Sequence, residues 1–216
     1  MKLAPVIAIY GPEGAGKSTT VAALQKYLQS HNFKAKVVFL GRGKNNIIPI
    51  NKLGKSFQKK EQQQNYQQPI GKNITSLSKK IIYTAISVIL VVDLLLRYCL
   101  QVFPFRLKGT IIICDRYSSD LYLMDKVPLI IRKVLLALFP KPAKTFYLYN
   151  TIKKLHQRKG RSRKNLQWQM KQFNFLNHRY KAIAIKTDNK KETLHQVIKN
   201  IDLILPPDKN TYLPLL

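Results

Sequence analysis

Apolar residues fall along this chain in two rhythms. Short runs recur at Pro5–Tyr10, Lys36–Leu40 (KVVFL), Thr110–Cys114 (TIIIC) and Lys144–Tyr149 (KTFYLY), with a weaker one at Ala182–Lys186. Runs of this length, bounded by turn residues and apolar on both faces, predict buried strands of a parallel sheet. Between them the apolar spacing lengthens to three and four. Val21, Leu24, Tyr27 and Leu28 put one apolar face on a helix over Ser18–Gln29. Further helices are predicted over Ile81–Val102, Pro128–Leu138, Thr151–Gly160, Leu166–Tyr180 and Glu192–Leu203. Strands alternating with helices imply an α/β fold, a five-stranded parallel sheet flanked by helices. No repeat or boundary divides the chain, so residues 1–216 read as one domain.

Two segments depart from these rhythms. Residues 44–80 are rich in Lys, Gln and Asn and sparse in apolar residues after Leu53, which predicts a mobile, solvated, basic insert, partly helical. The stretch Ile81–Leu100, IIYTAISVILVVDLLLRYCL, is apolar enough to raise the question of a membrane span. Its uncharged part, Ile81–Val92, is only 12 residues, and Asp93 and Arg97 interrupt the remainder. A spanning helix needs about 20 apolar residues with few charges, so a buried core helix is expected.

The chain has 216 residues, 45% of them hydrophobic, enough to bury a substantial core. Met1-Lys2-Leu3-Ala4 leads straight into the first apolar run, so no cleaved leader is expected. Cys99 and Cys114 both sit in apolar runs and are expected as buried free thiols of a reducing, cytoplasmic compartment. The four histidines lack ligand spacing and are expected at the surface.

The candidate chemistry starts at Gly11-Pro12-Glu13-Gly14-Ala15-Gly16-Lys17-Ser18-Thr19. This meets the pattern G-x-x-x-x-G-K-[ST] between a predicted strand and a predicted helix, the context a phosphate-binding P-loop requires. Glycines let the loop wrap closely round phosphates, while backbone N–H groups and the helix N-terminus point inward. In that role Lys17 reaches the β/γ-phosphates and Ser18 ligates magnesium, so ATP and Mg²⁺ are the expected cofactors. The loop does not separate a kinase from an ATPase. Asp115-Arg116-Tyr117 lies at the end of the third strand, the usual ligand crevice of an open α/β sheet. Asp115 there can hold magnesium and Arg116 an anion; a salt bridge at a strand end reads equally well.

Taken together, these residues resemble the thymidylate kinase-like proteins of the nucleoside-monophosphate kinase type. The resemblance rests on Glu13 in the third position of the phosphate loop, on Asp115-Arg116-Tyr117, and on Asp93 standing 22 residues before Asp115. His156-Gln157-Arg158-Lys159-Gly160-Arg161 resembles the family's arginine-bearing lid, here 150–165, and Arg179-Tyr180-Lys181 also fits. The resemblance implies a P-loop NTPase fold and transfer of the ATP γ-phosphate to a nucleoside monophosphate or related small acceptor. It implies catalytic roles for Lys17, Asp115, Arg116 and Arg158, with Arg161 on the nucleotide. It implies an acceptor pocket from Glu13, Arg42, Asp93, Arg97, Arg116 and Tyr117, although a buried Asp93–Arg97 pair is an equal reading. A homodimer is also compatible. The departures fall on the acceptor side: Leu94 stands where many members have an arginine, the segment after the second strand is reduced to Gly41-Arg42-Gly43, and the fourth strand ends Leu148-Tyr149. dTMP is therefore not the expected best acceptor.

Charge widens the choice. Thirty-eight Lys and Arg face 10 Asp and Glu, a net +28 that a small-molecule kinase does not need. Such a field attracts nucleotides, nucleic acid and anionic lipid alike. A basic P-loop ATPase or polynucleotide kinase on nucleic acid is one alternative, although no nucleic-acid-binding signature accompanies the charge. A nucleotide-binding protein at the inner face of a membrane, held by Ile81–Leu100 and without kinase activity, is the other.

Overall fold

The computed structural model describes residues 3–41, 46–48, 77–124, 127–201 and 204–205, of which 77–80 by their backbone alone. Arg42, Gly43 and nearly all of the 44–80 insert lie outside the described residues, as does most of the C-terminal tail.

Five short strands form the centre: β1 (Val6–Tyr10), β2 (Ala35–Phe39), β3 (Ile111–Asp115), β4 (Lys144–Tyr149) and β5 (Ile183–Lys186). All neighbours are parallel, in the order β2-β3-β1-β4-β5. The helices are α1 (Lys17–Ser30), α2 (Leu77–Gln101), α3 (Phe103–Leu107), α4 (Leu129–Ala137), α5 (Ile152–Lys159), α6 (Arg163–Tyr180) and α7 (Lys190–Ile201). The expected α/β class with a helix-flanked, five-stranded parallel sheet is therefore what the chain adopts.

Alternation along the strands builds two cores. Val6, Ala8 and Tyr10 of β1 join Ile112 and Cys114 of β3 on one face, under Leu90, Leu94 and Tyr98 of α2, Leu135 and Leu136 of α4 and Phe173 of α6. Ile7 and Ile9 join Ile111 and Ile113 on the other face, under Leu24 and Leu28 of α1, Leu155 of α5 and Val197 of α7. Both faces of the central strands are covered, which is why their sequences are apolar throughout. Connections out of β1 and β3 leave toward opposite edges of the sheet. A crevice opens outside their C-terminal ends, where Ile9 pairs with Asp115.

Local departures have local causes. Helix α2 starts at Leu77, four residues before the apolar run begins. A 3₁₀ turn over Ser118–Leu123 follows β3, with Asp120 in its first turn. In the basic stretch RKGRSRK, Arg158 and Lys159 end α5 and Arg163 and Lys164 begin α6, with a three-residue break between: Gly160, at φ 64°, caps α5, and the Ser162 side chain accepts from Asn165 N at 3.3 Å to start α6. Cys114 is buried as expected, but Cys99 is exposed on the outer face of α2. Its apolar neighbourhood in sequence is a solvent-facing stripe.

Candidate active site

The chain leaves β1 through a loop that only glycine can shape at its first position. Gly11 has φ 152°, and a Cβ there would lie 2.0 Å from the Leu148 carbonyl oxygen of β4. Gly16, at φ 81°, caps α1 with nothing within 4 Å of where a Cβ would stand, so the first turn of α1 opens onto free space. That turn holds no acidic residue, and its unpaired N–H groups carry the positive end of the helix.

Lys17 lies along this loop, 6% exposed, donating from Nζ to the carbonyls of Gly11 at 2.9 Å and Pro12 at 2.7 Å. Burial, reinforced by the nearby Arg116 guanidinium, pushes its ammonium down to about 8. Ser18 Oγ donates to Asp115 Oδ2 at 2.6 Å, bridging the start of α1 to the end of β3. The other carboxylate oxygen, Asp115 Oδ1, is buried with no hydrogen-bond partner in the described residues. Arg116 follows with φ 60° and an ion pair to Asp120 at 3.1 Å. Its backbone is fixed by Arg116 N donating to Ile9 O at 3.0 Å and Leu40 N donating to Arg116 O at 3.2 Å. The left-handed backbone thus turns the side chain into the crevice.

The segment 150–165 closes the opposite side. Arg158 donates to Gly14 O at 3.2 Å and Thr187 O at 3.1 Å, spanning from the glycine loop to the end of β5. Arg161 pairs with Glu13 at 2.6 Å. These groups enclose a cleft of about 1010 Å³, lined by Glu13 to Thr20, Phe39, Asp115, Arg116, Arg158 to Arg161 and Thr187 to Lys190. Residues from distant parts of the sequence meet here because every contributing loop sits at the same sheet edge.

The residues expected on the donor side assemble: Glu13, Gly14, Ala15, Gly16, Lys17, Ser18, Thr19, Asp115, Arg116, Arg158 and Arg161 all line the cleft, while Gly11 and Pro12 hold Lys17 from beneath. Three expected acceptor residues stand elsewhere. Tyr117 is 1% exposed and spends its hydroxyl on Pro140 O at 2.8 Å, so it is a core residue. Asp93 and Arg97 are fully buried and paired at 2.9 Å. Asp93 Oδ1 also accepts from the backbone of Ile47 at 2.7 Å and Ile48 at 2.8 Å, and Arg97 donates to Gly41 O at 3.2 Å. The pair ties α2 to the segment after β2; it does not line the cleft. Leu94, beside them, is 0% exposed in the core.

Sequence reasoning missed the rim formed by Thr187, Asp188 and Asn189. Hydrogen bonds from Lys154 and Lys186 hold the exposed Asp188 carboxyl well below the usual carboxylate range. The signal was present: TDN follows the weakest predicted strand, whose C-terminal end reaches the same edge.

A scan against protein-family models finds none that matches this chain, and a search of curated proteins finds no match either.

Among the described residues no group of three or more His, Cys, Asp or Glu gathers as a metal cage. Magnesium in nucleotide sites does not need one, because one or two protein oxygens suffice when phosphates and water supply the rest. The unpartnered Asp115 Oδ1 beside the Ser18 hydroxyl fits that requirement.

Proposed function

We propose that the chain is an ATP-dependent phosphotransferase of thymidylate kinase-like type, built on a P-loop NTPase fold. The observation that carries the reading is the meeting of Lys17, Ser18 and Asp115 at the start of α1, with Ser18 and Asp115 2.6 Å apart. Open glycine backbone, a helix N-terminus, a buried cation and an incompletely satisfied carboxylate there form one anion-and-cation site.

In this reading the triphosphate of ATP lies along Gly11–Thr19 and takes the positive charge that Lys17 now shares with two carbonyls. Ser18 and Asp115 would hold magnesium, which when bound neutralises charge on the β- and γ-phosphates. Arg116, Arg158 and Arg161 bring three guanidinium groups to the cleft wall, and arginines so placed contribute about 10³–10⁵ in rate in related phosphoryl transfers. Arg161 pairs with Glu13 across the cleft and so holds the 150–165 segment against the loop as a lid. A closed lid excludes water and favours transfer over hydrolysis. The acceptor is a nucleoside monophosphate or a related small molecule. With Asp93, Arg97 and Leu94 all committed to the interior, the acceptor contacts differ from those of thymidylate kinases, which argues against dTMP as the best substrate.

The test is ADP release measured across nucleoside monophosphates, nucleosides and sugars, for the wild type and Lys17→Ala. The expected result is release that depends on one acceptor class and is lost in a folded Lys17→Ala protein. Release at the same rate without any acceptor would replace the kinase reading by an ATPase. Near-normal turnover by Lys17→Ala would remove the site assignment.

A further inference from the structure

The face of the molecule opposite α1 and α7 carries an apolar surface that the cleft does not use. Along α2 and α3 the exposed positions are Ile81, Val88, Val92, Leu96, Leu100 and Phe103, spaced by three, four or seven and therefore one continuous stripe. Ile81 and Leu100 are each 62% exposed. Within α2 the stripe runs about 30 Å at 1.5 Å per residue. The neighbouring α4 presents Ile130, Val134 and Leu138 outward, Ile130 at 72% and Val134 at 60%. Both helices bury their inner sides in the same core, so their outer sides form one surface. An apolar area of this extent on an otherwise polar protein marks an interaction site.

The charge around it selects the partner. Helices α2, α3 and α4 contain a single acidic residue, Asp93, and it is sealed inside with Arg97. Among the described residues, the exposed charges beside the stripe are cationic: Lys133 lies between Ile130 and Val134, Lys108 follows Leu107, and Lys141 follows α4. A second copy of this chain would bring the same cationic rim against itself, because a two-fold interface repeats one patch on both sides. The net charge of +28 adds to that repulsion. An anionic bilayer supplies both complements, an apolar layer for the stripe and negative headgroups for the lysines.

A transmembrane arrangement does not fit. The inner side of α2 holds Leu90, Val91, Leu94 and Tyr98 in the core, and the Asp93–Arg97 pair is bonded to the backbone at Ile47, Ile48 and Gly41. Extracting the helix would break that pair and strip Leu90, Val91, Leu94 and Tyr98 from one of the two cores.

We propose that the α2–α3–α4 face docks in the plane of an anionic membrane surface, with the stripe in the headgroup–acyl boundary and the lysines at headgroup level. The inference stands apart from the kinase reading, since none of these residues lines the cleft.

Cys99 offers a direct probe, being exposed on this face while Cys114 is buried. The full chain, labelled at Cys99 with an environment-sensitive fluorophore, is titrated with vesicles of phosphatidylcholine alone and with one third phosphatidylserine. The expected result is a blue shift with the anionic vesicles only. Val88→Glu with Ile130→Glu places charge on the stripe at two exposed positions. Lys26→Gln with Lys199→Gln removes the same net charge from α1 and α7, on the opposite face. The first double variant is expected to lose at least tenfold in vesicle partitioning by flotation, and the second less than threefold, with circular dichroism unchanged in both. Equal loss in the two variants would mean that net charge alone drives adsorption, which overturns the docking face. Absence of a blue shift, or a sedimenting dimer that shields Cys99 from labelling, would overturn it as well.

Discussion

Lys17 is a cation buried away from water, and that has a measurable cost. Burial pushes its pKa from 10.5 to about 8. Between those two values the unfolded chain holds the proton and the folded chain does not. Stability contributed at this site therefore rises with pH from about 8 to 10.5, and below pH 8 the folded state carries the full penalty. At 1.36 kcal/mol per pKa unit the penalty is about 3 kcal/mol. Lys17→Met keeps an unbranched side chain of similar length and removes the charge. It also removes two hydrogen bonds, to Gly11 O and Pro12 O, worth about 1 kcal/mol each. At pH 7 the variant is then more stable than wild type by about 1 kcal/mol; above pH 10.5 it is less stable by about 2 kcal/mol. For a chain of this size each kcal/mol moves Tm by about 2–4 °C, so the difference in Tm between the two proteins swings by roughly 6–12 °C and changes sign. Paired melts from pH 6.5 to 10.5 measure it, and every other titrating group cancels in the difference. On the proposed kinase reading, adding ATP and magnesium is expected to raise Tm for wild type only. A Tm difference that stays flat across this pH range would refute the claim that burial strains Lys17.

The remaining predictions separate chemistry from scaffold. Asp93→Asn leaves Arg97 buried beside a neutral partner and is expected to cost about 3–5 kcal/mol in denaturant unfolding, the range for breaking a buried pair. Asp115→Asn is expected to melt near wild type and to lose at least a hundredfold in kcat; the reverse order of effects would mean that the metal site is misassigned. Tyr117→Phe removes one hydrogen bond, to Pro140 O, and is expected to cost about 1 kcal/mol of stability with kcat unchanged. A large loss of kcat there would return Tyr117 to the acceptor pocket.

How much the sequence disclosed depends on how local each feature is. The loop Gly11–Ser18 was legible because its geometry is set within eight residues, and the apolar strand before it fixes its direction. Asp115 was legible because a carboxylate at the end of a central parallel strand has one place to go, the crevice beside β1. Arg158 and Arg161 were legible through the resemblance to an arginine-bearing lid; that they reach Gly14 and Glu13 depends on how α5 packs into the core through Leu155, which no short pattern encodes. The rim at Thr187–Asn189 was missed because β5 is short and its last residue, Lys186, is exposed, so its end was not recognised as a sheet edge.

Helix α2 shows where the sequence was ambiguous and why. Asp93 and Arg97 are four residues apart, which puts them on one side of a helix whether they clamp a ligand or each other. Spacing cannot choose, because the choice depends on which side of α2 meets the sheet. Leu90, Leu94 and Tyr98 make it: they lie on the same side as the ion pair and are buried, so the pair is buried with them. The outer side was then left to Val88, Val92 and Leu96, and a helix that is apolar all round gives no sequence signal of which half is inside. The same packing decides what Leu94 means. Introducing at Leu94 the arginine that the resemblance to many thymidylate kinases would put there would drive a guanidinium into the packed core beside an existing cation. Leu94→Arg is therefore expected to destabilise the fold by more than about 4 kcal/mol, the range of severe core lesions, without improving turnover of dTMP. Urea unfolding of this variant measures the loss directly. A folded Leu94→Arg protein of wild-type stability would mean that this side of α2 can open onto the acceptor, and the buried reading of Asp93 and Arg97 would fall with it.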